Sequence, residues 1–162
     1  MNGYDVRVLR GHIENVKRNL EKAERNPVVT AHWVGKSEAR IEGEGFTMST
    51  GGEGQPSSMK ALLGALTGCD VELIALHATL LGIQLERLTV EARGHFTVQR
   101  LYGIEDGPPP GYDQITYTIK LSAPGATAEQ LEHLRRAVEQ ASPVGDSLSR
   151  AIPLTLEFEA ER

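Results

Sequence analysis

The stretch GQPSSMKALLGALTGCDVELIALHATLLG, residues 54–82, decides how this chain folds. Gly54 and Pro56 break regular structure, and Ser57 and Ser58 can accept hydrogen bonds from the first free amides of a helix, which therefore starts at one of these serines. Gly82 stands where a left-handed C-terminal cap would close it, so the helix is on the order of 25 residues long, more than about 35 Å. It is apolar over most of its circumference, the pattern of a buried element, with Lys60, Thr67, Asp70 and His77 in one narrow sector. Ala61, Gly64, Ala65, Gly68 and Cys69 form an adjoining stripe of small side chains. A helix-interior glycine costs about 1 kcal/mol relative to alanine, so two of them predict close approach of another backbone, a second helix of this chain or of a second subunit.

Upstream of this helix, residues 5–27 place Ile13, Val16 and Leu20 at helical spacing among charges, and Pro27 closes the segment. Residues 1–26 therefore read as an N-terminal helical arm and 27–162 as the domain proper. The run from Val28 to Met48 alternates as two antiparallel strands turning near Gly35 and Lys36, with Trp33 expected to pack there. Downstream, residues 84–100 and 112–123 alternate as two strands, joined by a hairpin tip containing GIEDGPPPG. Thr127 and Gln130 make a capping box for a helix that places Leu131, Leu134 and Val138 on one face. IPLTLEFEAE, residues 152–161, reads as a closing strand. Antiparallel sheets around a long buried central helix give an α+β domain.

Of the 162 residues, 40% are hydrophobic and 24% charged, within ordinary globular usage for one domain with its own core. The net charge of -5 has the wrong sign for a nucleic-acid surface. Asp70, Glu72 and His77 interrupt the longest apolar run, no leader sequence is read, and the expected protein is soluble and cytoplasmic, with no membrane partner. One cysteine forbids an intramolecular disulfide.

Cys69 lies about three turns inside the helix, beyond the reach of the terminal dipole. Asp70 would oppose a neighbouring thiolate if its charge were close. His77 is two turns further on, roughly 12 Å along the axis, too far to act as base. The five histidines and one cysteine give no metal-ligand spacing, and the glycines of residues 51–54 resemble a phosphate loop in composition alone, so no metal or cofactor is expected. On these grounds Cys69 is either an inert packing residue or a nucleophile activated from elsewhere in the fold.

Three segments carry a resemblance to the OsmC-like family, the osmotically inducible and organic hydroperoxide resistance proteins. GQPSSMKALLGALTGC is similar to the family's loop and entry into the helix that ends at its attacking cysteine. HATLLGIQLERLTVEARGHF is similar to the helix exit and next strand, and EQASPVGDSLSRAIPLTLEFE to the segment where members carry Cys-Pro-Val, a short turn and the last strand. The resemblance implies an intertwined homodimer with the long helices at its centre, and reduction of organic hydroperoxides in oxidative stress defence. Cys69 then occupies the attacking position, and Ser142 stands where the second cysteine belongs, so an external thiol would have to act as reductant. Met59 replaces a glutamate that orients an activating arginine, which leaves Arg40 as the candidate cation. The alternatives are a non-catalytic dimer of the same fold binding a small apolar ligand, and an interaction module using the N-terminal helix.

Overall fold

A computed structural model describes residues 1–160. The elements run α1 (Val6–Arg18), a 3₁₀ turn, β1 (Val29–Gly35), β2 (Glu38–Gly43), β3 (Phe46–Thr50), α2 (Ser58–Leu80), β4 (Arg87–His95), β5 (Gln114–Ser122), α3 (Ala128–Ala141) and α4 (Pro143–Ser149). Strands β1, β2 and β3 form one antiparallel sheet in that order, and β4 pairs with β5 in a second. This is a mixed α+β chain with two small antiparallel sheets.

Helix α2 begins and ends where its sequence directs. The Ser57 hydroxyl accepts from the Lys60 amide, and Gly82, at φ 72, takes the left-handed conformation just beyond the Leu81 cap. The capping box of α3 is complete, with Thr127 and Gln130 each satisfying the other's amide. Between these helices and the β4–β5 sheet lies the core, centred on Ile74, Ala78, Ile83, Leu134 and Val138. Strand β4 alternates exposed and half-buried residues, so Leu88 faces that core while its neighbours face out. The N-terminus is tied to the far end of α2: Asn2 donates to the Ile83 carbonyl and accepts from the Leu85 amide.

Several expectations need correction. Residues 28–50 hold three strands, not two, because Gly45 at φ 77 supplies a second tight turn that the alternation alone conceals. Trp33 does not pack: it is 77% exposed, its indole N–H donating to the Lys36 carbonyl. A helix, α4, follows Ser142 where a short turn was expected, since Ser142 caps it and Pro143 starts it. Residues 152–160 join neither sheet, so among the described residues the expected closing strand is not formed; Glu161 lies outside them. Helix α2, although apolar nearly all round, is buried along one stripe only, with Leu62 and Val71 on the open side. Its length and composition would suffice to cross a membrane, but its inner stripe is packed in the core. At Gly64 and Gly68 no described atom outside the helix comes within 4 Å of where a Cβ would sit, so no backbone among the described residues fills the notch they form.

The chain exposes 12597 Å². A compact monomer of this mass would expose about 7,900 Å². Much of the excess is apolar: Val29, Trp33, Val34 and Phe46 on the first sheet, and Leu154, Leu156 and Phe158 in the last segment.

Candidate active site

The inner stripe of α2 runs Leu66, Asp70, Ile74, Ala78 at a spacing of four, which holds Asp70 on the core face with no exposed surface. Cys69, one residue earlier, is turned about 100° from it and remains half-buried. Ser142 reaches the same place from the junction of α3 and α4, where it is the N-cap and 4% exposed. The fold thus unites two of the three residues singled out in the sequence: Cys69 Sγ lies 3.8 Å from Ser142 Oγ.

Ser142 also donates to Asp70 Oδ1 at 2.5 Å and accepts from the Gly145 amide at 3.1 Å. Gly145 passes so close that a Cβ there would sit 2.9 Å from Ser142 Oγ, which favours glycine at this turn of α4. The other Asp70 oxygen, Oδ2, is buried with no hydrogen-bond partner among the described residues. Burial pushes the Asp70 carboxyl above its ordinary value, with the Ser142 hydrogen bond opposing part of that rise. Tyr117, on β5, is raised by burial and then by the nearby charges of Asp70 and Glu139.

Arg40 is more than half exposed on β2 and pairs with Glu42 at 2.8 Å; among the described residues no hydrogen bond or ion pair joins it to Cys69. The Met59 carbonyl, at the start of α2, accepts from the Tyr112 hydroxyl at 2.7 Å. His77 meets His133 of α3, ring centres 5.7 Å apart, and burial followed by the His133 charge lowers its pKa. A cleft of about 470 Å³ opens beside the site, with Leu66, Tyr117, Val138, Gly145 and Leu148 in its wall; Cys69, Asp70 and Ser142 do not line it.

Sequence reasoning placed Asp70 in a polar sector with Lys60, Thr67 and His77 and missed its partnership with Ser142. The available signal was its position four residues after Leu66 and four before Ile74. A consequence follows for stability. The folded chain holds the Asp70 proton to higher pH than the unfolded chain, whose aspartates ionise near 3.8. Stability from this group is fully present below that value and declines as pH rises through the elevated folded value. In Asp70→Asn this decline is expected to vanish, so urea midpoints plotted against pH should converge at low pH and separate above it; parallel curves would contradict the assignment.

A family model described as OsmC-like protein matches residues 51–157. No curated protein matches the chain. Among solved structures, an OsmC-like protein from Mycoplasma pneumoniae is 16% identical, with 78% of this chain and 89% of that one covered and a TM-score of 0.64. An OsmC-like hydroperoxide resistance protein from Jannaschia sp. CCS1 is 21% identical over 84% of this chain and 95% of that one, with a TM-score of 0.54. An organic hydroperoxide resistance protein from Legionella pneumophila is 16% identical over 76% of this chain and 89% of that one, with a TM-score of 0.51. These identities speak for shared fold alone, but the family model spans the central helix, the second sheet, α3, α4 and most of the last segment. With that match over well more than half its length, the chain belongs to the OsmC-like family.

Proposed function

We propose that the protein is a single-cysteine thiol peroxidase acting on organic hydroperoxides, working as a dimer. The observation that carries this reading is the placement of Cys69: a half-buried thiol on the open side of a core helix, 3.8 Å from the hydroxyl of the buried Ser142 that caps α4. A residue serving packing alone would need no such polar neighbour. The hydroperoxide resistance proteins of the same fold add support from kinship.

The cycle needs one sulfur. Cys69 thiolate attacks the terminal oxygen of a hydroperoxide; the S–O bond forms as the O–O bond breaks, and the departing alkoxide takes a proton to leave as an alcohol. Ser142 has no thiol, so the sulfenic acid is met by an external thiol, giving a mixed disulfide and water. A second external thiol then displaces Cys69, restoring it and releasing a symmetrical disulfide.

The dimer is the natural recipient of the surface left open by one copy. The notch at Gly64 and Gly68, the uncovered side of α2 and the excess exposed area all lie where an obligate interface would be expected, and such interfaces bury roughly 2,000–5,000 Å². Cys69 belongs to that small-residue stripe, so the substrate passage is formed with the second subunit.

Mass spectrometry after brief exposure to cumene hydroperoxide is expected to show one added oxygen at Cys69, acquired faster than by free cysteine at the same pH, and none in Cys69→Ser. Oxidation no faster than that of the free amino acid would reject the peroxidase. The cleft beside the site favours a second reading, an apolar ligand carrier; it would be preferred if the thiol proved inert while a hydrophobic dye still bound equally well to Cys69→Ser.

A further inference from the structure

Ser142 Oγ has three neighbours: Asp70 Oδ1 at 2.5 Å, the Gly145 amide at 3.1 Å and Cys69 Sγ at 3.8 Å. A serine hydroxyl carries one proton. That proton is committed to the carboxylate, the shortest of the three contacts, and the amide can only donate. Toward the sulfur, then, the hydroxyl oxygen has only acceptor capacity left, and the thiol must be the donor. The protons are ordered in one direction, S–H to Oγ and O–H to Oδ1. At the end of the chain sits a carboxylate with no exposed surface, whose second oxygen has no partner among the described residues. A buried ion in that state is relieved of a desolvation cost when it accepts a proton.

Building on the peroxidase reading of Cys69, we propose that Asp70 is the acceptor of the Cys69 thiol proton, reached through the hydroxyl of Ser142. The S–H bond breaks as its proton passes to Oγ, the Ser142 O–H bond breaks as its proton passes to Oδ1, and the electron pair stays on sulfur. One negative charge moves from Asp70 to Cys69 and none is created. When the thiolate attacks, the alkoxide takes up the proton lost by Asp70, so thiol and hydroperoxide become sulfenic acid and alcohol with no net proton exchanged. Asp70 and Ser142 are positioning residues, since both act through the sulfur and neither needs to touch the peroxide.

The surroundings suit this exchange. Burial raises the affinity of the Asp70 carboxylate for a proton, and among the described residues no ion pair reaches it. Tyr117 on β5 has its own acidity weakened first by burial and then by the charges of Asp70 and of Glu139 on α3, and Ser142 at the start of α4 donates to Asp70 Oδ1. The serine at the family's second-cysteine position thus gains a role of its own.

The sign of one substitution separates this relay from simple electrostatics. If Asp70 merely held a negative charge beside the sulfur, Asp70→Asn would hasten thiolate formation. Under the relay it slows it, because asparagine accepts the serine hydrogen bond but no proton. The test is the rate of Cys69 alkylation by iodoacetamide across about pH 5 to 9 in the full chain, in Asp70→Asn and in Ser142→Ala, with circular dichroism to verify folding. At pH 7 both variants are expected to react more slowly, by about tenfold or more, because the thiol loses its internal general base, and to approach the wild-type rate as rising pH lets hydroxide form the thiolate directly. An unchanged pH profile in either folded variant, or faster alkylation of Asp70→Asn, overturns the relay. Alkylation needs no peroxide, so the two ideas fail separately. Slowed variants with a wild type inert to cumene hydroperoxide would keep the relay and remove the peroxidase; unslowed variants with a peroxide-reactive wild type would do the reverse.

Discussion

Ser142→Cys is expected to close a disulfide with Cys69 on exposure to peroxide, so that the intact mass falls by two hydrogens where the wild type gains an oxygen. The two side-chain tips are 3.8 Å apart, and a disulfide needs about 2.05 Å, a shift within reach of side-chain rotation at the junction of α3 and α4. Three terms decide whether the bond is tolerated. The new side chain gives up the cap on the Gly145 amide, costing about 1 kcal/mol. It also leaves Asp70 Oδ1 without its donor, costing about 1–3 kcal/mol. Against these, linking residues 73 apart restricts the unfolded chain by about 4 kcal/mol. The balance favours the cross-link, and turnover with a dithiol reductant should rise because resolution no longer waits for an external thiol. A variant that still accumulates one oxygen on Cys69, with no loss of two hydrogens, would show that the junction does not bring the two positions together.

Truncation after Arg150 is expected to turn a dimer into a monomer. Ile152, Leu154, Leu156 and Phe158 recur at every second residue, a strand's periodicity, yet Leu154, Leu156 and Phe158 are 95%, 85% and 83% exposed and the segment joins no sheet among the described residues. In the proposed dimer a second copy supplies the missing sheet edge. Burial of four such side chains is worth about 6 kcal/mol even at the low end, roughly four orders of magnitude in dissociation constant. Sedimentation should therefore give twice the subunit mass for the full chain and a single mass for residues 1–150. A truncated chain that stays dimeric would place the interface elsewhere, and a monomeric full chain would remove the dimer itself.

The contrast between these two regions explains what could be read from the sequence. Local chemistry was legible: Ser57, Gly82, Thr127 and Gln130 act within a few residues, and each set an element boundary as expected. The site was half legible. Cys69 and Ser142 were found through kinship, but their approach is a tertiary fact, and Asp70 was assigned by residue type to a polar sector when its spacing from Leu66 and Ile74 put it inside. The closing strand and the packing of Trp33 were misread for one reason. Alternation reports that a segment needs a partner without saying which chain supplies it, and residues 152–160 find none among the described residues.

The large area left uncovered by one copy has a thermodynamic consequence. In the proposed dimer, where this oily surface is hidden by association, folding and pairing become one bimolecular equilibrium, and the melting temperature is expected to climb with protein concentration. Dilution would then act as a denaturant, and the cell's abundance of this chain would set how much of it holds its shape.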